Sequence, residues 1–249
     1  MEVHHHPHVE KKSFKEYLLE GLMIFLAVSM GFIAENIREH IADGEKEMQY
    51  MKSLVEDLGV DRAVLSKQLA IYEQRFAKYD SLTDILNEPI VKERNNTYYY
   101  LGRLATKDEI FPNNTRTLEQ LKSTGAFRAI KNAKVVNNIL EYYAIVPAIR
   151  QFEEIEVQET NEFRKLAVQV FNGTVFNQIT DTADAANVLR PLNFPELKTT
   201  DTKILSELST WIHYIKNTRF GIYQSKKELL RKGEALSKLI QNEYHLENE

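Results

Sequence analysis

The residues best suited to chemistry stand at the N-terminus. His4, His5, His6 and His8 place four imidazoles within five positions, interrupted only by Pro7. Neutral imidazole ligates Zn, Ni or Cu, and a His-rich tract is a candidate metal site. The same composition also describes a solvated tail, and a complete centre needs a second cluster of ligands or bases, which the chain does not offer. A second set of candidates is Glu20, Glu35 and Asn36, which flank an apolar run. Carboxylates at such positions serve proton relays or helix pairing, or simply reach the headgroup layer. Glu20 and Glu35 are separated by 15 residues, about 22 Å along a helix, so they mark opposite ends of one segment and do not form one site.

Other chemistry is excluded by what is missing. No GxSxG, HExxH, P-loop or GxGxxG motif occurs, and Lys122-Ser123-Thr124-Gly125 lacks the glycines that precede a P-loop lysine. With 0 Cys, thiol catalysis, disulfides and Cys-ligated zinc are ruled out. A net charge of −4 without a basic run argues against nucleic acid as a partner. His213 reads as a packed or surface histidine beside Trp211, and Tyr98-Tyr99-Tyr100 as packing residues. The three Asn-x-Thr triplets at Asn95, Asn113 and Asn172 matter only in a eukaryotic secretory protein. No enzyme and no cofactor is expected.

The elements that position these residues are helical. Only 9 Gly and 6 Pro in 249 residues leave few turns, which favours long helices over a multi-stranded sheet. Residues 21–34, GLMIFLAVSMGFIA, carry no charge. Extension to residues 17–37 gives the roughly 20 needed to span a bilayer. A signal peptide, a buried core helix and an interfacial helix compete with this reading. The first lacks a small-residue cleavage site, and the last lacks a polar face. Ala27 and Gly31 permit close approach of another helix. Lys11, Lys12 and Lys15 outnumber the Arg38 that follows the span, which favours a cytoplasmic N-terminus.

A heptad pattern follows. Its a positions are Met48, Val55, Arg62, Leu69, Phe76 and Thr83, and its d positions Met51, Leu58, Leu65, Tyr72, Tyr79 and Leu86. The register extends back through Ile41, Ile37 and Ala34, with Gly44 as a weak point. Asn87-Glu88-Pro89 ends this helix. The pattern predicts a short helix over 92–106, a loop at 111–114, and a helix N-capped by Thr117 with Gln120 completing a capping box. Gly125 ends that helix. One helix is predicted over 134–170, kinked at Pro147, with Val135, Val136, Ile139, Leu140, Tyr143, Val146, Ile149, Phe152, Ile155, Phe163, Leu166 and Val170 inward. Asn172-Gly173 terminates it. A short helix is expected near 182–189. A last helix, 202–244, turns Leu208, Trp211, Ile215, Ile222, Leu229, Leu236 and Leu239 inward. The first and last helices of the soluble part, each about 60 Å long, are able to pack side by side.

Two stretches carry a resemblance. Residues 20–41, EGLMIFLAVSMGFIAENIREHI, and residues 117–143, TLEQLKSTGAFRAIKNAKVVNNILEYY, together about a fifth of the chain, resemble a family of bacterial single-pass membrane proteins of unknown function. The resemblance implies architecture and no activity. The expected fold is thus all-α, with an N-terminal transmembrane helix continuing into an elongated antiparallel bundle. The expected division is a cytoplasmic tail (1–13), a transmembrane helix and junction (14–41) and a periplasmic bundle (42–249). The expected role is a non-enzymatic binding, sensing or scaffold protein of the bacterial inner membrane. Its partners would be the lipid bilayer and a protein or a second copy of itself. The alternatives are a metal-handling protein or enzyme using the histidines, and an oligomeric ion path using Glu20 and Glu35.

Overall fold

The computed structural model describes residues 13–183, 187–190 and 195–246. Among them the regular structure is all helical, apart from one isolated antiparallel bridge, Thr180 to Val188. The chain divides into two compact units, Met1–Tyr50 and Met51–Glu249. Helix α1, Phe14–Asn87, contributes to both and passes Gly44 without a break.

In the first unit α1 turns its apolar side chains outward. An 18-residue apolar window is 0% buried, and Leu22, Met23, Ile24, Phe25 and Leu26 are exposed in succession, so every angular position of the helix is apolar. One helix is therefore long and apolar enough to cross a membrane.

In the second unit the pattern inverts. The six d residues, Met51 to Leu86, are all buried. The a row is mixed, with Leu69 and Thr83 buried. Arg62 is exposed and Met48, Val55 and Phe76 are half-buried. The row three residues past each d is buried instead: Leu54, Asp61, Gln68, Arg75 and Leu82. Three of those five side chains are polar, which is why a search for apolar spacing passes over them.

Helix α2 spans Asn95–Ala105, after a 3₁₀ turn at Lys92–Arg94, as the sequence predicts. Helix α3 spans Arg116–Ser123, and Thr117 lies inside it rather than capping it. Its backbone N–H donates to Asp57 Oδ2 of α1 at 2.9 Å, so the anion at the helix N-terminus comes from another helix. Gly125, at φ +70°, closes α3 in the left-handed conformation that a glycine adopts without strain.

The predicted helix 134–170 is two helices, α4 (Ala133–Tyr143) and α5 (Val146–Val170). Pro147 does not kink a helix. It sits in the first turn of α5, where its missing N–H leaves no bond unmade. Asn132 caps α4, accepting from the N–H groups of Lys134 and Val135. Asn172 likewise opens a helix, α6 (Gly173–Gln178), rather than ending one. A short helix is expected near 182–189, of which residues 184–186 lie outside the described residues; among the described ones, 182–183 bend and Val188 forms the bridge with Thr180.

Helix α7, Thr202–Glu243, is capped by Asp201. It packs antiparallel to α1. Asn87 bonds Ser209, Asp80 pairs with Lys216, and Tyr223 donates to Glu73, each step of seven up one helix matched by seven down the other. Helices α4 and α5 also run antiparallel to α7, through Asn132 with Glu243, Glu141 with Lys232 and Glu156 with Arg219. Within α7, Ile212 and Ile240 are buried, while the expected Trp211 and Leu239 are half-buried. On the other long helices, Leu140, Phe152 and Ile155 are exposed, and Glu156 and Thr160 take the inward places.

The apolar d row and its α7 counterpart predict a shared core. Leu65→Ala and Leu229→Ala, both fully buried in the same unit, should each lower stability by ~2–5 kcal/mol. The midpoint in urea of the full chain in detergent should not move with protein concentration, because one chain supplies both sides. A midpoint that climbs with concentration would place the cover on a second copy.

Candidate functional site

The segment between α2 and α3, residues 106–115, has no helix or strand of its own, yet it lies against the helices of the second unit. Buried backbone groups need partners, and here side chains supply them. Gln68 Nε2 donates to the Ile110 carbonyl at 2.8 Å and Arg75 Nη1 to the Lys107 carbonyl at 3.4 Å. Lys226 Nζ donates to the Glu109 carbonyl at 2.5 Å. The Phe111 N–H donates to Glu153 Oε1 at 2.9 Å, and the Asn114 N–H to Asp61 Oδ1 at 2.9 Å. Tyr143 donates its hydroxyl proton to the Asn114 carbonyl at 3.1 Å. Clamps thus come from α1, α4, α5 and α7.

The charges among these clamps are balanced in pairs. Arg75 meets Glu109 at 2.9 Å, and Lys226 meets Glu153 at 3.1 Å while its ammonium lies 5.4 Å from the centre of the Tyr72 ring. Beside them Arg219, 0% exposed, donates to Glu156 at 2.7 Å and to the Tyr79 hydroxyl at 2.7 Å. Burial holds the Lys226 ammonium below its ordinary pKa, against the pull of Glu153. Burial also acts against the charge on Arg219, but Tyr79 and Glu156 outweigh it and its pKa stands above the ordinary value. At the other end of the segment, burial raises the Asp61 carboxyl, partly offset by the Asn114 N–H and by Tyr142, whose hydroxyl donates to Asp61 at 2.8 Å. Asp57 accepts from Asn114 Nδ2 and Arg116 Nη2, each at 2.9 Å.

A buried lysine and arginine with carboxylate neighbours are the ingredients of a catalytic centre. Here each is spent on the fold. Lys226 and Arg219 are both 0% exposed, so neither presents a face to a substrate. Spacing gives a signal for them: Ile212, Arg219, Lys226, Gly233 and Ile240 form one seven-residue row of α7, in which a charge between aliphatic residues marks a buried ion pair.

A cleft with an apolar wall lies elsewhere in the second unit. It encloses about 260 Å³ and is lined by Ala167, Val168, Phe171 and Phe176, with Arg103, Arg164 and Lys198 among its polar groups. Gly102 makes room for its floor: a Cβ there would come within 2.5 Å of the Phe171 ring.

None of the sequence candidates among the described residues lies in either place. His4, His5, His6 and His8 lie outside the described residues. Glu35 and Asn36 are exposed on α1, and Glu35 accepts from Arg38 Nε at 2.9 Å, one turn along the same helix. Glu20 is half-buried on that helix. His213 is exposed, and Tyr98 and Tyr99 are buried in the core. Among the described residues no group of three or more His, Asp or Glu side chains is placed to hold a metal ion.

Comparison with known proteins finds no matching family model, curated protein or solved structure.

The buried pairs predict a specific asymmetry. Arg219→Met leaves Glu156 charged and alone in the core and should lower stability by ~3–5 kcal/mol. Adding Glu156→Met should recover a large part of that loss, although it removes a second polar group. Urea denaturation of the single and double variants measures both. A double variant as unstable as the single one would show that the hydrogen bond to Tyr79, not the unpaired carboxylate, carries the cost.

Proposed function

We propose that the chain is a single-pass protein of a bacterial inner membrane, whose antiparallel helical bundle binds a ligand or partner outside the cytoplasm and catalyses no reaction. The observation that carries this reading is the exposure of the apolar stretch in α1. A core helix of similar hydropathy would be buried by the rest of the chain, whereas none of this window is. Residues 17–37, roughly 20 residues or ~30 Å of helix, match the hydrocarbon thickness of a bilayer. Glu20 stands near one end and the Glu35–Arg38 pair near the other, where polar groups reach the headgroups at least cost. The resemblance of residues 20–41 and 117–143 to bacterial single-pass membrane proteins agrees with this architecture.

The binding role rests on the second unit. Its most deeply buried charges are paired inside the bundle, Lys226 with Glu153 and Arg219 with Glu156, and the cleft lined by Phe171 and Phe176 is a concave place with convergent polar groups. The lysines before the span set the orientation, with the bundle in the periplasm.

The full chain should therefore sediment with membranes and stay there in alkaline carbonate, while a chain starting at Glu45 remains in the supernatant. Release of the full chain by carbonate would sink the anchor. A reporter active only in the periplasm, fused after Glu249, should be active in a bacterial host. Activity from a cytoplasmic reporter alone would reverse the orientation.

A further inference from the structure

Three cations line the cleft in the second unit. Arg103 of α2, Arg164 of α5 and Lys198 ahead of α7 line it together. Each is held by neutral oxygens. Arg103 donates to the hydroxyls of Thr106 and Thr180, both at 3.3 Å. Arg164 donates to the side chain of Asn161 at 3.0 Å and to the Thr106 carbonyl at 3.1 Å. Lys198 donates to the Val168 carbonyl at 2.6 Å. Among the described residues none of the three forms an ion pair, and Glu162, two residues from Arg164, is taken by Lys165 at 2.6 Å. The contrast with Arg75, Arg219 and Lys226 is direct, since each of those three has its own carboxylate.

Arg103 adds an unmade bond. Its Nε is buried and has no hydrogen-bond partner. Burial, reinforced by the nearby guanidinium of Arg164, holds its pKa below the ordinary arginine value. A guanidinium so placed gains from an oxyanion that accepts from its fork and cancels the repulsion. The rest of the lining is aromatic and aliphatic: the Phe171 and Phe176 ring centroids are 5.1 Å apart, and the Arg103 guanidinium lies 5.8 Å from the Phe176 ring centre. At about 260 Å³ the cleft stands just below the range of small-molecule sites, ~300–1,000 Å³, so it is too small for a nucleotide coenzyme.

We infer that this cleft binds a small organic oxyanion, with a phosphate or carboxylate head held by Arg103, Arg164 and Lys198 and a short apolar body against Val168 and Phe176. The inference deepens the binding role proposed above and rests on it. The apolar body contributes by burial, and the head supplies the countercharge that the three cations do not find among the described residues.

Calorimetric titration of the full chain in an uncharged maltoside detergent tests this with four probes. Phenyl phosphate and benzoate carry both head and body, inorganic phosphate the head alone, and benzyl alcohol the body without charge. Phenyl phosphate or benzoate should bind more tightly than either half-probe. Arg103→Gln should weaken that binding about tenfold or more, the effect of losing a charged hydrogen bond. Lys198→Gln, at an exposed position outside the core, should weaken it in the same sense and guards against a folding defect in the first variant. Equal affinity for phenyl phosphate, benzoate and the half-probes, or unchanged affinity in both variants, would overturn the assignment. The two readings separate cleanly. A chain that resists carbonate yet ignores all four probes loses only the cleft, and one that binds phenyl phosphate yet washes off membranes loses only the anchor.

Discussion

An extended segment laid against helices imposes the constraint from which most of the second unit follows. Residues 106–115 bring backbone N–H and C=O groups into the protein without a ladder to satisfy them. Each such group left unpaired would cost ~1–3 kcal/mol, so the surrounding helices must carry polar side chains on their inward faces. Gln68, Arg75, Glu153 and Lys226 meet that need. Three of those four are charged, and a buried charge needs a countercharge. The pairs of Arg75 with Glu109 and of Lys226 with Glu153 are therefore consequences of the same segment. Replacing them with leucines would improve helix packing and strand the backbone they hold.

This explains which parts of the fold were legible in the sequence. Rows that serve only packing are apolar, and the d row from Met51 to Leu86 is readable as such. Rows that serve the segment are mixed, so Asp61, Gln68 and Arg75 look like the solvated side of α1 when apolar residues alone are sought. The same bias moved Phe152 and Ile155 inward on paper, although Glu156 holds the inward position because Arg219 needs it. The start of α7 at Thr202 stands where the sequence pattern puts it, with Asp201 as its cap, whereas Asn172, also a local cap, reads in the sequence as a helix end. The start of α3 is misread because a distant residue supplies its anion: it is Asp57, about sixty positions away in sequence and beyond any local motif.

The sites differ in the same way. The histidine run and the carboxylates around the apolar stretch are contiguous or evenly spaced, so they draw notice. The cleft is assembled from Arg103, Arg164 and Lys198, on separate elements, each an ordinary polar residue at its own place in the chain. What they share is one cleft, neutral-oxygen partners and, among the described residues, the absence of an ion pair. That absence is a property of three-dimensional neighbours and not of spacing.

The two units of the chain differ in where they put their large apolar residues. In Met51–Glu249 the large apolar residues are mostly inside. Between Phe14 and Ile41, fifteen large apolar residues are exposed. Burying such side chains is worth roughly 1.5–3 kcal/mol each, so leaving them in water would forgo on the order of 20 kcal/mol, more than the ~5–15 kcal/mol that holds a typical domain folded. Something must cover them. A second protein helix covers one face, which suits a stripe, and the d row from Met51 to Leu86 is covered in that way. The run from Leu22 to Phe25 places apolar side chains at about 100° intervals and leaves no polar face to turn toward water. Hydrocarbon surrounds a helix on all sides at once, and it is the cover that this surface fits.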